Sequence, residues 1–137
     1  MTMRLGYLLL YVEDVEKTIE FYESAFGLAR KLFMAENDQV YGELETGETT
    51  IGLVSYGLAE AQGIPFSKAD PNAPAPAMDI GFVTDNVDDA YARAIDHGAV
   101  SVAAPERKPW GQTVSYVRDL NGFLVGINSP VTPPPQS

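Results

Sequence analysis

Residues 7–19 read Tyr7-Leu8-Leu9-Leu10-Tyr11-Val12-Glu13-Asp14-Val15-Glu16-Lys17-Thr18-Ile19, and residues 79–91 read Asp79-Ile80-Gly81-Phe82-Val83-Thr84-Asp85-Asn86-Val87-Asp88-Asp89-Ala90-Tyr91. The two stretches carry one pattern at an offset of 72 residues. A strand-length apolar run is followed by Asp or Asn as a helix N-cap, and apolar residues then recur at helical spacing. At that offset Tyr7, Leu8, Leu10, Asp14, Val15 and Ile19 fall on Asp79, Ile80, Phe82, Asn86, Val87 and Tyr91. Core positions land on core positions and cap on cap, so the chain is read as a duplicated unit.

The same pattern extends outward. Val15, Thr18, Ile19, Tyr22 and Phe26 predict an amphipathic helix closed by Gly27, with Glu13, Glu16, Lys17, Glu20 and Glu23 mostly on its wet side. Strand-like runs follow at 28–34, 39–45 and 49–56, with turns at Asn37-Asp38 and Thr46-Gly47. The second half gives a strand at 78–84, a helix from Asn86 to Gly98, and strands at 100–103, 112–118 and 123–128, the last two joined by Asp119-Leu120-Asn121-Gly122. Glycines and prolines (Gly57, Gly63, Pro65, Pro71, Pro74, Pro76) mark 57–76 as a linker or long loop.

The expected class is α+β: two tandem βαβββ modules, about 4–56 and 77–129, in a single domain spanning 1–137. Each module is too small to bury a good core alone. The modules are therefore expected to combine into a curved eight-stranded mixed sheet, with helices on the convex side and a concave face left open. The tail 130–137, with Pro133-Pro134-Pro135, cannot join a sheet and is expected to be disordered.

Composition narrows the function. The chain has 137 residues and a formal charge of −10. Such a polyanion repels phosphates, which argues against nucleic acid or an anionic membrane as partner. There are no cysteines, so disulfides, zinc–thiolate sites and thiol nucleophiles are excluded. No apolar stretch reaches the roughly 18–20 residues of a membrane span, and the N-terminus is too short and too acidic downstream for a signal peptide. A cytoplasmic location is expected. The single histidine, His97, sits at a helix C-terminus, where it complements the macrodipole. No Gly-x-Ser-x-Gly, Walker-type or dinucleotide glycine motif is present.

Strand alternation says what the open face displays. If Leu8 and Leu10 face the helix, Tyr7, Leu9 and Tyr11 face the cavity. Likewise Asp79 and Gly81 lie opposite Ile80 and Phe82, Thr50 and Gly52 opposite Ile51 and Leu53, and Leu124, Gly126 and Asn128 opposite Val125 and Ile127. The strand 112–118 is ambiguous by pattern alone.

The segments Tyr11-Val12-Glu13-Asp14-Val15-Glu16-Lys17-Thr18-Ile19-Glu20-Phe21-Tyr22, Phe26-Gly27-Leu28, Pro109-Trp110-Gly111-Gln112 and Val117-Arg118-Asp119-Leu120-Asn121-Gly122-Phe123 resemble the vicinal oxygen chelate superfamily. That superfamily groups glyoxalase I, extradiol dioxygenases, fosfomycin-resistance transferases and bleomycin-resistance proteins. The resemblance covers nearly the whole chain outside 57–76 and the tail. It implies the βαβββ fold and a homodimer. It also implies that metal ligands, typically His and Glu, would stand at Tyr7, Gly52, Asp79 and Gly126. Only Asp79 of these offers a carboxylate, so no metal and no cofactor is expected. The resemblance then points to the metal-free, bleomycin-resistance-like branch, whose acidic dimers sequester drugs in an aromatic groove.

The expected function is therefore metal-independent binding of a drug-like aromatic or cationic small molecule. Ring faces stack on flat ligands and cations. Candidate ligand-binding residues are Tyr7, Tyr41, Gly52, Asp79, Trp110, Tyr116, Arg118 and Gly126; no catalytic residue is assigned. Tyr116 stands ten residues before the last implied ligand position, where the fosfomycin enzymes touch substrate. That would turn Val114, Tyr116 and Arg118 inward. Trp110, Tyr41 and Tyr116 could equally be packing residues, Arg118 could pair with Asp119, and Asp79 could be an ordinary strand-start carboxylate. If buried, Asp79 could serve as a base. The alternatives are a metal-independent isomerase or lyase using Asp79 with Tyr7 or Tyr116, a metal-dependent glyoxalase- or dioxygenase-type enzyme, and a regulatory dimer with a vestigial pocket.

Overall fold

The computed structural model describes residues 2–131. The first module runs β1 (Tyr7–Val12), α1 (Val15–Phe26), β2 (Ala29–Glu36), β3 (Gln39–Glu45), β4 (Thr50–Ser55) and α2 (Tyr56–Ala61). The second runs β5 (Asp79–Val83), α3 (Val87–Asp96), β6 (Val100–Arg107), β7 (Thr113–Arg118) and β8 (Leu124–Asn128). The chain divides into two units, Met1–Ala69 and Asp70–Ser137. The strands hydrogen-bond as two four-stranded mixed sheets, β1-β4-β3-β2 and β5-β8-β7-β6, one per module. The first and last strands of each module are parallel and the other pairs antiparallel.

Local chemistry explains the elements. Asp14 caps α1, accepting from the Lys17 amide at 3.0 Å, and Gly27 closes it at φ 70°, a conformation that suits a residue without Cβ. Asn86 caps α3 in the same way through the Asp89 amide. In the first module Val15, Ile19, Tyr22 and Ala25 of α1 pack with Leu10, Val12, Leu44, Ile51 and Leu53. In the second, Val87 and Ala94 of α3 are buried along with Ile80, Val117, Val125 and Ile127. Each core thus lies between a helix and one face of its own sheet.

Two expectations need correction. The 57–76 segment begins inside a short helix: Ser55 accepts from the Leu58 amide at 3.1 Å and starts α2 at Tyr56, ending β4 a residue early. Six residues are too few to show a helical period. Gly57 is required there, because a Cβ would meet the Asp38 backbone oxygen at 2.4 Å. Strand β6 runs to Arg107, four residues past its expected end, straight through Pro105. It is an edge strand, where a missing N–H removes no ladder bond. The expected α+β class with two βαβββ modules is what the chain forms, its eight strands hydrogen-bonded four to each module. Of the expected tail, 132–137 lie outside the described residues, and Pro130 and Val131 belong to no element.

Candidate functional site

The face of the first sheet turned away from α1 is set by register. Tyr7, Leu9 and Tyr11 pair with Thr50, Gly52 and Val54, and Gly52 and Val54 pair in turn with Glu43 and Tyr41. All eight therefore share one face. The Tyr41 hydroxyl donates to the Glu43 carboxylate at 2.7 Å. Burial first, then the hydrogen bond and charge of Glu43 and the nearby Tyr7, hold the Tyr41 phenol well above its ordinary range. It stays a neutral donor across the physiological range. Gly52 lies beneath this pair: a Cβ there would meet Leu9 Cδ2 at 2.5 Å and the Tyr41 hydroxyl at 2.8 Å. Lys31 donates from Nζ to Thr50 Oγ1 at 3.5 Å. Tyr7 is 59% exposed. It also lines a cavity of about 640 Å³ with Arg4, Glu48, Thr49 and Thr50.

At the far end of this face the loop after α2 folds back. Phe66 meets Tyr11 edge-on at 5.2 Å and Tyr56 at 5.4 Å, and Lys68 Nζ sits 4.9 Å from the Tyr56 ring centre. The Tyr56 phenol is raised by burial and then by the charge of Glu13. The first module thus shows that tyrosine rings here accept both aromatic edges and a cation, using its own side chains.

The second module presents a different face. Asp79, Gly81 and Val83 of β5 pair with Leu124, Gly126 and Asn128 of β8, which pair with Arg118, Tyr116 and Val114 of β7. Asp79 is exposed, so the buried setting that would favour a general base is not found within this module. The Asn128 Oδ1 atom is buried and has no hydrogen-bond partner. Arg118 commits five N–H bonds to four backbone carbonyls: Gly122 twice, then Asp70, Pro71 and Ala73. That matches the full donor capacity of a guanidinium, so Arg118 straps the 70–73 segment and has no N–H left for a ligand. Buried Asp119 holds the following turn, accepting from the Asn121 and Phe123 amides at 2.9 Å. Trp110 is 59% exposed, and its Nε1 donates to Gln112 Oε1 at 2.8 Å. His97 is exposed at the end of α3, its Nδ1 2.9 Å from the Arg93 carbonyl.

The model of the Glyoxalase/Bleomycin resistance protein/Dioxygenase superfamily matches residues 4–127. The chain belongs to this superfamily. An uncharacterized protein of Bacillus subtilis (strain 168), YraH, is 30% identical over 127 residues, covering 91% of this chain and 97% of that protein. Among solved structures, a superfamily enzyme from Burkholderia phytofirmans PsJN superposes with a TM-score of 0.77 at 22% identity, covering 95% of this chain and all of that one (100%). A glyoxalase-related enzyme from Fulvimarina pelagi gives 0.76 at 17% identity, covering 94% and 89%. At such identities these two likenesses establish the fold.

Within this superfamily the resemblance assigns metal ligands to Tyr7, Gly52, Asp79 and Gly126. The residues present do not fit a divalent ion. Two of the four lack side chains, and the space above Gly52 is filled by Leu9 and Tyr41. Among the described residues no group of three or more His, Cys, Asp or Glu side chains is placed to hold a metal. Tyr7, Tyr41 and Gly52 are brought together on the first sheet, and Asp79, Tyr116 and Gly126 on the second. Trp110 stands apart in its turn. Sequence reading passed over Glu43 and Phe66, and it placed Leu9 and Asn128 on the open face without making them candidates. Glu43 could have been found from its same-face spacing to Tyr41, and Asn128 as a polar residue on an otherwise apolar last strand. Phe66 lies in a loop and gave no periodic sign.

Proposed function

We propose that this chain is a metal-independent binding protein for a flat aromatic or cationic small molecule, held through tyrosine faces with Asp79 supplying the charge. The observation that carries the reading is the closure of the Gly52 position by Leu9 and the Tyr41–Glu43 pair. A corner that could have held a metal ligand is packed with an aliphatic tip and a phenol. Tyr7 and Tyr41 supply ring surface beside it; taken by itself, the second module offers the Tyr116 ring and the Asp79 carboxylate on the face that carries Gly126. Ring stacking and cation–π contact contribute roughly 0.5–2 kcal/mol each. The net charge of −10 concentrates cations near the protein and disfavours nucleic acid. A cytoplasmic homodimer is part of the same reading.

Trp110 is the only tryptophan, which gives the test a built-in probe. Calorimetric titration with bleomycin-type drugs, planar cations and neutral aromatics, read in parallel by Trp110 emission, should find saturable one-to-one binding for at least one class. Plasma mass spectrometry on untagged protein should find no stoichiometric divalent ion. Silence across the panel, or a tightly held metal, would overturn the proposal.

A further inference from the structure

We infer that the exposed backbone at Gly81, bordered by the Asn128 amide that covers Gly126, is a recognition slot for the N–H edge of a flat, nitrogen-bearing ligand, with Asn128 as the specificity-determining residue and Asp79 as its charged partner. This deepens the binding function proposed above and rests on it.

Gly81 and Gly126 are cross-strand partners on β5 and β8. Paired glycines in a strand interior cost stability and mark places where another group approaches the backbone closely. The groups around the slot are polar. A Cβ at Gly81 would have Asp79 Oδ1 and Asn128 Nδ2 as its nearest neighbours, both at 3.9 Å. A Cβ at Gly126 would lie 2.9 Å from Asn128 Nδ2, 3.6 Å from Asn128 Oδ1 and 3.6 Å from Tyr116 Cε1. A carboxylate and a carboxamide therefore flank the open space over Gly81, the carboxamide lying over Gly126 with the Tyr116 ring beside it.

The Asn128 amide is what makes the slot a site. Its Oδ1 is buried without a hydrogen-bond partner, an arrangement folded proteins rarely leave standing. Its Nδ2 points over the glycines. Gly81 has no side chain of its own to fill the slot. A ligand ring lying over Gly81 would bring an edge N–H to Asp79 while the Asn128 amide takes up a second polar contact on the same edge. Ligands of this class are protonated aminoheterocycles and amidines. A flat cation without N–H donors would stack on Tyr116 but leave Asn128 unsatisfied, and a polar site rejects such an analogue.

The test compares 9-aminoacridine, a planar cation with N–H groups on both edges, with 10-methylacridinium, which has the same plane and charge and none. Isothermal titration of wild type should give at least tenfold tighter binding of 9-aminoacridine. Asn128→Leu should reduce that preference below threefold while 10-methylacridinium still binds. Gly81→Ala, whose new methyl group meets nothing closer than 3.9 Å and so should not disturb the fold, should weaken 9-aminoacridine at least fivefold. In wild type, the Asn128 side-chain amide resonances should shift on adding 9-aminoacridine, a readout independent of any variant. Equal binding of the two probes, or a preference unchanged in Asn128→Leu, would overturn this inference and leave the proposed function standing. Failure of both probes to bind would overturn this inference, and the proposed function falls with it only if the whole panel of drugs, planar cations and neutral aromatics is silent as well.

Discussion

The two modules share a plan and differ in where they place bulk. Both put their last strand parallel to their first, and both pin one strand end with the same bond: the Val40 amide donates to Ser55 Oγ at 2.9 Å, and the Thr113 amide to Ser129 Oγ at 2.8 Å. Beyond that they diverge. Helix α1 buries six side chains and α3 two. At the 72-residue offset, fully buried Tyr22 corresponds to fully buried Ala94. The open faces diverge as well. In the first module Leu9 and Tyr41 crowd the space over Gly52; in the second, the Asn128 amide covers Gly126 and Gly81 leaves its backbone exposed. A duplicated scaffold fixes the parity of each position and leaves its volume free. One copy is thereby suited to offering ring surface and the other an exposed backbone with polar edges.

The sharpest way to break this comparison is through the cores. Tyr22→Ala should cost about 3–5 kcal/mol, the range for removing a fully buried aromatic. Ala94→Gly, its counterpart, should cost about 1–2 kcal/mol through helix propensity and the loss of one buried methyl group. Urea unfolding measures both. Near-equal losses would mean that the two helices contribute alike and that the difference in buried side chains carries no energetic weight.

The next effect belongs to the second module. Arg118→Lys keeps the charge but loses the planar fork that meets four carbonyls at once. With several of its hydrogen bonds lost, each worth about 0.5–1.5 kcal/mol, a loss of about 2–3 kcal/mol is expected. The 70–73 segment should also become a protease-sensitive site. Glu45, which ends β3 as Arg118 ends β7, makes no such strap, so Glu45→Gln should leave digestion unchanged. Equal proteolysis of wild type and Arg118→Lys would show that the loop is held by something other than the guanidinium.

Much of this was legible in the chain. The duplicated run of residues 7–19 and 79–91 is long, capped and periodic, so strand, helix and facing parity follow from side-chain alternation alone. The limits were physical. Helix α2 has too few residues for periodicity to act, and Pro105 reads as a strand end unless the strand is known to lie at an edge. The strand order within each module depends on long-range hydrogen bonding that no local pattern encodes. At the site, residue types could be listed but not their partners. Tyr41 was a candidate ring, whereas its bond to Glu43 and the crowding above Gly52 depend on register. Arg118 looked like an inward cation, yet its donors are taken by a proline-rich segment more than forty residues earlier, a pairing that needs the folded loop.

Glycine substitutions sharpen the contrast between the two faces. Gly52→Ala introduces a methyl group 2.5 Å from Leu9 Cδ2 and 2.8 Å from the Tyr41 hydroxyl. Both are side-chain ends and can move, so the overpacking cost should stay near about 1–2 kcal/mol. Gly81→Ala meets only ordinary contacts and restricts the unfolded chain, so it should stabilise by about 0.4–1 kcal/mol. Opposite signs in thermal or urea unfolding are the expected result. A destabilising Gly81→Ala would mean that the slot is already filled.

The smallest effect is a pH dependence that separates the modules by their phenols. Both tyrosines with raised values, Tyr41 and Tyr56, lie in the first module, and Val114, which occupies the position of Tyr41 in the second, cannot titrate. A phenol whose folded value exceeds its unfolded value of about 10 keeps its proton longer in the native state. Its contribution to stability is complete below about pH 10 and is lost as pH climbs through the folded value. Urea midpoints followed from pH 8 upward should therefore fall beyond about pH 10 in wild type. The fall should be shallower in Tyr41→Phe, and shallower again when Tyr56→Phe is added. The Tyr41 change should have the larger part, because Glu43 adds both a hydrogen bond and a charge to the burial that the two phenols share. If Tyr56→Phe alone flattened the profile as much, the bond between Tyr41 and Glu43 would carry no weight in solution.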